Sequence, residues 1–208
     1  FPMRHFGLRA LALLILPGLS NAASFFGLGD LPGGEFISSA QGVSADGSVV
    51  VGYSYSEKGQ EAFRWTARRG MEGLGDLRGG PFGSSALGVS ADGSVVVGVS
   101  SSTLGNQAYR WNEFAGMVGL GDLPGGIYYS AANDISYDGA VIVGISRSAA
   151  ALEAFRWTLF GGMVGLGVLP GETYSEAYCV SADGSVIMGR NYSASIGNET
   201  FYWTQAGG

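Results

Sequence analysis

Short apolar runs separated by glycine-containing turns recur along the whole chain. In the first copy, residues 38–44 and 48–52 are strand-like and flank Asp46-Gly47, which predicts a hairpin because glycine tolerates the positive φ of tight turns. Residues 61–66 alternate, with Phe63 and Trp65 on one face, and residues 71–77 complete a set of four predicted strands.

This pattern repeats with a period of 46 residues. Gly-Leu-Gly begins at Gly27, Gly73, Gly119 and Gly165, and a tryptophan recurs at Trp65, Trp111, Trp157 and Trp203. Four antiparallel strands in about 45 residues are typical of one β-propeller repeat, whose apolar faces are buried against its neighbours. The sequence therefore predicts an all-β, β-propeller-like array of four four-stranded repeats over residues 23–208.

The two ends of the array leave two interpretations open. Residues 25–31 match a fourth strand with no strands before them, whereas the last copy has no such strand after Trp203. Propellers commonly close by pairing one end of the chain with the other, so one interpretation is that the N-terminal strand completes a four-repeat ring. The alternative is that the sequence is part of a longer array.

The first 22 residues have the features of a cleaved signal peptide. Arg4 and Arg9 flank the apolar run 11–16, and small residues precede a predicted cleavage site after Ala22. That run is too short to cross about 30 Å of hydrocarbon. We therefore expect a secreted or cell-surface protein without stable membrane insertion of the mature chain.

The net charge of the chain limits which partners are expected, and its cysteine content limits which disulfides can form. Loss of residues 1–22, which contain two arginines and no acid, lowers the formal net charge from −6 to −8. Nucleic acid is therefore an unfavourable partner, because phosphate binding depends on basic patches. Cys179 is the only cysteine, which excludes a disulfide within the chain, and we expect it to fill space in a strand.

Few residues are candidates for catalysis or for binding a metal or cofactor. The only histidine, His5, lies in the predicted signal peptide, and each Asp-Gly turn offers a single acid, fewer than calcium needs. We predict no metal and no cofactor. Asp122 and Asp134 are possible catalytic acids, but most acids recur in every repeat, which favours structural roles.

Two charged positions of the repeat disappear together in its last copy. The aspartate after Gly-Leu-Gly and the arginine before tryptophan occur in three copies, but the fourth has Val168 and Tyr202. We hypothesise that this Asp and Arg form a partly buried ion pair. Loss of only one partner would leave an unpaired buried charge, which is destabilising. The residues concerned are Asp30, Asp76 and Asp122, with Arg64, Arg110 and Arg156.

Taken together, the motifs Gly-Leu-Gly-Asp-Leu, Ser-Ala-Asp-Gly-Ser-Val-Val-Val-Gly and Ala-Phe-Arg-Trp resemble the HAF family of probable extracellular repeats. The resemblance covers residues 25–203, although Glu61, Gln107, Glu153 and Glu199 occupy the position of the histidine that gives the family its name. It implies a secreted or surface-exposed bacterial protein, in some members the outer part of an autotransporter. It implies no catalytic site.

The remaining expectation concerns residues that break the repeat. A scaffold needs its repeated residues for packing, so singular aromatic residues are the candidate ligand contacts: Tyr128, Tyr129, Tyr174 and Tyr178. We predict a non-catalytic binding or display module for an extracellular ligand, either protein or glycan. The alternatives are a carbohydrate-active enzyme on a propeller scaffold and a structural passenger of an autotransporter.

Overall fold

The computed structural model describes residues 24–194 and 197–205, and this part contains fifteen strands and no helix. The predicted signal peptide, residues 1–22, lies outside it. The strands are β1 (Gly33–Val43), β2 (Val49–Ser56), β3 (Gly59–Thr66), β4 (Gly70–Gly73), β5 (Ser84–Val89), β6 (Val95–Ser102), β7 (Gly105–Asn112), β8 (Gly116–Gly119), β9 (Gly125–Ile135), β10 (Val141–Ser148), β11 (Leu152–Thr158), β12 (Gly162–Gly167), β13 (Tyr174–Val180), β14 (Val186–Ser193) and β15 (Gly197–Thr204).

The strands pair in chain order, which confirms the predicted all-β class. β1–β4 and β5–β8 each form a four-stranded antiparallel sheet. The antiparallel sets β9–β12 and β13–β15 are joined into one seven-stranded sheet by a single parallel pairing of Leu152 with Tyr174. We refer to β1–β4, β5–β8, β9–β12 and β13–β15 as the first to fourth strand groups.

The Asp-Gly turns join the first two strands of each group, as predicted. Gly47 has a φ of 72°, and the Asp46 carboxylate accepts hydrogen bonds from the Ser44 hydroxyl and the Ser48 N–H. Each turn also contacts the next one: Ala45 N–H donates to Ala91 O at 3.0 Å, and the same bond recurs twice further along the chain. The turns therefore tie successive groups together while using the Asp oxygens internally.

Successive groups pack through three equivalent apolar cores. In the first, Val49, Val51 and Ala62 of one group contact Ala86, Val96 and Tyr109 of the next. The second and third cores place the same repeat positions together, with Phe155 and Ile187 among the buried residues. Each core needs side chains from two groups, which is the packing logic of a repeat protein.

A buried serine reinforces each of these junctions. The Ser84 hydroxyl accepts from Ala62 N–H at 2.9 Å and donates to the Gly75 carbonyl, both in the preceding group or its exit loop. Ser130 and Ser175 make the same two contacts one and two groups later. Each of these buried hydroxyls therefore accepts one hydrogen bond and donates another, which compensates for the cost of burying it.

The fourth strand differs from its predicted extent. Residues 71–77 were expected to form one strand, but β4 ends at Gly73, and Gly75 has a φ of 74°. Beyond that point the chain leaves its own group, and Leu77 N–H donates to Ser100 Oγ at 2.9 Å on β6. Gly-Leu-Gly-Asp-Leu is thus shared between two groups, its first half pairing with one and its second half docking on the next.

The proposed Asp–Arg ion pair is wrong. Among the described residues, the ion pairs involve Arg69 and Arg190 rather than the repeated arginines. Arg64 Nε donates instead to the Gly93 carbonyl in the next Asp-Gly turn, at 3.1 Å. The buried Arg156 Nε has no hydrogen-bond partner among the described residues.

The ends of the array remain apart in this structure. Residues 24–31 lie against the first group, where Leu31 N–H donates to Ser54 Oγ at 3.0 Å. Within residues 24–194 and 197–205, no strand pairs with the outer edge of β15. The predicted closure by the N-terminal strand is therefore not formed here. The part of the chain that the structure describes contains no helix long and apolar enough to cross a membrane.

Candidate functional site

The clearest break in the repeat lies on the fourth group, where polar and aromatic side chains surround Arg190. Glu176 on β13 is directly opposite Arg190 on β14, and Tyr174 is opposite Tyr192. These four side chains share the face of the fourth group that, in the first three groups, packs against a following group. We call Tyr174, Glu176, Tyr178, Arg190 and Asn133 the Arg190 cluster.

Direct contacts hold this cluster together. Arg190 Nη2 donates to the Tyr174 hydroxyl at 2.9 Å and to Glu176 Oε2 at 3.2 Å, and the Tyr174 hydroxyl donates to that same oxygen at 2.6 Å. The guanidinium carbon lies 5.1 Å from the Tyr174 ring centre and 5.6 Å from that of Tyr178, within cation–π range. Arg190 is thus fixed by an acid and two aromatic rings.

Asn133 extends the cluster to the third group. It occupies the bulge of β9, and its Nδ2 donates to Glu176 Oε1 at 3.2 Å and to the Ala177 carbonyl at 2.8 Å. The neighbouring Asp134 accepts the Val180 N–H at 2.9 Å. Both contacts join β9 of the third group to β13 of the fourth group, so hydrogen bonds between groups hold the strand that carries Tyr174 and Glu176 in place.

The electrostatics of the cluster follow from burial and internal pairing. Burial raises the pKa of Tyr174, and donation of its hydroxyl to Glu176 adds to that increase. The hydrogen bond to the Tyr174 hydroxyl raises the pKa of Arg190. Burial also raises the pKa of Tyr178, as does the nearby Glu176 charge. At neutral pH Tyr174 and Tyr178 are therefore neutral, and Arg190 Nη2 lies 3.2 Å from Glu176 Oε2.

The four predicted tyrosines fall into two separate places. Tyr174 and Tyr178 both contact Arg190, as described above. Tyr128 lies away from them near the start of β9, where its hydroxyl accepts from Gln107 Nε2 and burial, with the Asp122 charge, raises its pKa. Tyr129 follows it on β9, and its carbonyl accepts from Ser146 Oγ at 3.1 Å.

Sequence reasoning missed Glu176, Arg190 and Asn133, although a signal for Arg190 was present. Arg190 takes the repeat position held by the uncharged residues Tyr53, Val99 and Ile145 in the first three groups. Extending the search for singular positions from aromatic to charged residues would have found it. The contact with Asn133 depends on a β-bulge, which the sequence pattern does not reveal.

The arrangement suits recognition through hydrogen bonds and aromatic contact. A concavity of about 270 Å³ is lined by Tyr174, Arg190, Tyr192 and Asn198. Tyr178 and Tyr192 are 45% and 47% exposed beside it. No group of three or more His, Cys, Asp or Glu side chains that could hold a metal occurs in residues 24–194 and 197–205. Asp134, one of the acids considered for catalysis, is engaged by the Val180 backbone.

Comparison with solved structures relates the fold to β-propellers. The chain is similar to TolB from Acinetobacter baumannii (TM-score 0.63, 14% identity, 83% of this chain and 42% of that chain) and to a putative TolB from Agrobacterium tumefaciens (TM-score 0.58, 15% identity, 83% and 64%). It is also similar to a puromycin hydrolase S511A mutant complexed with PGG (TM-score 0.50, 15% identity, 83% and 28%).

In each case the chain spans less than two thirds of the structure that it matches. No family model and no curated protein matches the sequence. The chain therefore has an all-β fold of several sheets with TolB-like β-propellers among its structural neighbours.

Proposed function

We propose that this protein is an exported, propeller-like array of four repeats that acts outside the cell as a non-catalytic binding module. The Arg190 cluster is its ligand contact. The export and the extracellular role rest on the predicted signal peptide and on the resemblance to HAF repeats, and the binding role rests on the cluster.

One observation supports the binding role. The repeated residues have structural roles, whereas the residues of the Arg190 cluster do not recur in the other groups. The Asp-Gly turns, the bridging serines and the valine faces all join one group to the next. Tyr174, Glu176 and Arg190 instead contact one another, and Glu176 also accepts a hydrogen bond from Asn133 of the preceding group. A rigid patch of aromatic and hydrogen-bonding side chains on a repeat scaffold is the usual form of a binding surface.

The charges of the cluster favour a neutral ligand rich in hydroxyl groups, such as a glycan. Glu176 lies 3.2 Å from Arg190 and offsets its positive charge, so the site has little attraction for an anion. The cluster nevertheless offers guanidinium and amide donors together with carboxylate and hydroxyl acceptors. Exposed tyrosine rings beside them supply flat apolar contact area.

Direct binding to a panel of neutral and acidic glycans tests this proposal. We expect saturable binding by the purified chain, reduced at least about tenfold in Arg190→Met, which keeps an apolar stem but loses about 1.4 kcal/mol or more of hydrogen bonding. Arg78→Met is the matched control, because Arg78 is exposed in a loop outside the cluster. Melting temperatures of both variants show whether the fold is retained.

The other functional candidates give different outcomes. Turnover of a polysaccharide, abolished by Glu176→Gln or Asp134→Asn, would replace the binding module by an enzyme. Surface display without binding to any glycan or protein would leave a structural passenger. Export itself is tested by N-terminal sequencing of protein from the extracellular fraction, which should begin at Ala23.

A further inference from the structure

Two equivalent concavities lie at the end of the array that carries the Asp-Gly turns. The first, of about 560 Å³, is lined by the turn of the first group and by the end of β3, including Arg64 and Trp65. The second, of about 340 Å³, is lined by Arg110 and Trp111, which occupy the same positions one repeat later. Arg64 and Asp92 line both concavities. The two therefore form one continuous groove, which we call the turn-end groove.

Hydrogen bonds between groups hold both walls of the turn-end groove. Along one wall, Ala45 N–H donates to the Ala91 carbonyl at 3.0 Å, which joins the two Asp-Gly turns. Along the other wall, Arg69 Nη1 donates to Glu113 Oε1 at 2.9 Å, which joins the turns that follow β3 and β7. Both walls thus continue from one group to the next. Repeat proteins bind extended ligands on surfaces of this form.

The arginines of the groove offer unused hydrogen-bond donors. Arg64 Nε donates to the Gly93 carbonyl at 3.1 Å, which positions the side chain, and its Nη groups have no hydrogen-bond partner among the described residues. Arg110 makes no hydrogen bond or ion pair within the part of the chain that the structure describes. Guanidinium groups with free N–H donors match carboxylates, which accept two parallel hydrogen bonds.

The local charge of the groove is opposite to that of the whole chain. Three arginines and two acids line it, and one of those acids, Glu113, is already paired with Arg69. The other, Asp92, accepts hydrogen bonds from Ser90 and Ser94 in its own turn, and these bonds lower its pKa. The rest of this chain, of formal net charge −6, would repel a densely charged polyanion. The groove therefore favours a ligand with sparse negative charges.

The spacing and the aromatic rings of the groove favour an acidic polysaccharide over an acidic peptide. Facing sheets pack about 10 Å apart, so Arg64 and Arg110, at equivalent positions of successive groups, are separated by about that distance. A polysaccharide with one carboxylate in each disaccharide presents charges at a comparable spacing. Its sugar rings can stack on Trp65 and Trp111, which are partly buried and supply flat apolar surface. The carboxylates of a peptide lie on flexible side chains, which lose more conformational entropy on binding.

We infer that the turn-end groove binds an acidic polysaccharide that carries one uronic acid in each disaccharide. Arg64 and Arg110 each bind one carboxylate, and Trp65 and Trp111 contact the sugar rings between them. This site goes beyond the proposed function and does not depend on it. The groove lies on the first and second groups, whereas Tyr174, Glu176 and Arg190 of the Arg190 cluster lie on β13 and β14.

Isothermal titration calorimetry with hyaluronan oligosaccharides tests the inference, because hyaluronan has one glucuronate in each disaccharide. We expect the purified chain to bind the hexasaccharide more tightly than the disaccharide, which reaches only one of the two arginines. Chemical reduction of the carboxyl groups to alcohols should weaken binding about tenfold or more, because charge-assisted hydrogen bonds are lost. Equal affinity for the reduced hexasaccharide overturns the inference, and so does the absence of hyaluronan binding.

Arg110→Gln is the decisive variant. Because Arg110 has no protein partner within the described ranges, the change should leave the melting temperature unchanged and weaken hyaluronan binding about tenfold or more. Arg78→Gln is the matched control. It removes the same charge from an exposed loop at the opposite end of the array, where Gly79 adjoins Thr103 in the turn between β6 and β7.

Three further results would overturn the inference. The first is unchanged hyaluronan affinity in Arg110→Gln, or an equal loss of affinity in Arg78→Gln. The second is equal binding of polyglutamate or single-stranded DNA, which would indicate a general polyanion surface. The third is loss of hyaluronan binding in Arg190→Met, which would place the acidic sugar at the Arg190 cluster. Binding of neutral glycans without binding of hyaluronan would overturn this inference and leave the proposed function intact.

Discussion

Replacing Tyr109 by phenylalanine should stabilise this protein. Tyr109 is fully buried on β7 among Val51, Ala62, Ala86 and Val96, and its hydroxyl has no hydrogen-bond partner among the described residues. Burial also raises the pKa of this hydroxyl, since no neighbour stabilises the ionised form. The equivalent residues of the other groups are Phe63, Phe155 and Phe201, so the scaffold accommodates phenylalanine here.

The magnitude follows from the cost of an unpaired buried polar group, about 1–3 kcal/mol. Removing the oxygen leaves a small void that offsets part of the gain, so we expect the free energy of unfolding to rise by about 1–2 kcal/mol. For a chain of this size that corresponds to a melting temperature higher by about 2–8 °C.

Urea unfolding followed by tryptophan fluorescence measures the change, with m-values compared to check that the transition is unaltered. Phe155→Tyr is the reciprocal control, because it buries a new hydroxyl at an equivalent, fully buried site and should destabilise the protein. A Tyr109→Phe variant that is less stable than the natural chain would refute the reasoning. It would mean that the hydroxyl is satisfied, for example by an enclosed water.

Three further predictions address the junctions and turns. Ser84→Ala should lower the free energy of unfolding by about 1–3 kcal/mol, because a buried N–H and a carbonyl lose their partner; Ser38→Ala, at an exposed equivalent position, should cost less in the same urea titration. Gly98→Ala should cost about 3 kcal/mol or more, measured by thermal melting, because its Cβ would overlap the Ser85 carbonyl oxygen; an unchanged melting temperature would contradict the strand spacing. The hydrogen bonds within the turns lower the pKa of Asp46 and of Asp183 to about 2. The stability that these two carboxylates contribute is therefore present above the unfolded pKa of 3.8 and is lost as the pH falls from 3.8 towards 2. Thermal melts should show that Asp46→Asn loses less stability over that pH interval than the natural chain does.

The predictable part of the fold is the part encoded by local pattern. Asp-Gly turns, period-2 alternation and the 46-residue repeat together predicted antiparallel strands in the correct order. The pattern did not predict which atoms each charged side chain contacts. The repeated Asp and Arg were expected to pair because both are lost in the fourth copy, yet none of them forms an ion pair among the described residues, and Arg64 donates to the Gly93 carbonyl of the next turn. Joint loss of two residues in one copy of a repeat therefore does not show that they are in direct contact.

The candidate site was predictable only in part, for a related reason. Tyr174 and Tyr178 were identified because they interrupt the repeat, and the structure brings both to Arg190. Asn133 was not identified, because its reach across to Glu176 depends on the β9 bulge. A residue at a bulge leaves the alternation of the strand, so its direction is set by the fold and not by sequence period.

The repeat also explains why singular residues concentrate at the fourth group. In each earlier group the outer face must receive a neighbour, and there Ala62, Ala108 and Ala154 are fully buried beneath the next bridging serine. The fourth group carries Thr200 at that position, exposed, with Arg190 and Glu176 alongside. At positions paired across β13, β14 and β15, this face therefore carries Glu176, Arg190 and Thr200, where the earlier groups carry the small or apolar residues of a packed junction. This change from apolar packing to hydrogen-bonding side chains is the physical reason for looking for recognition there.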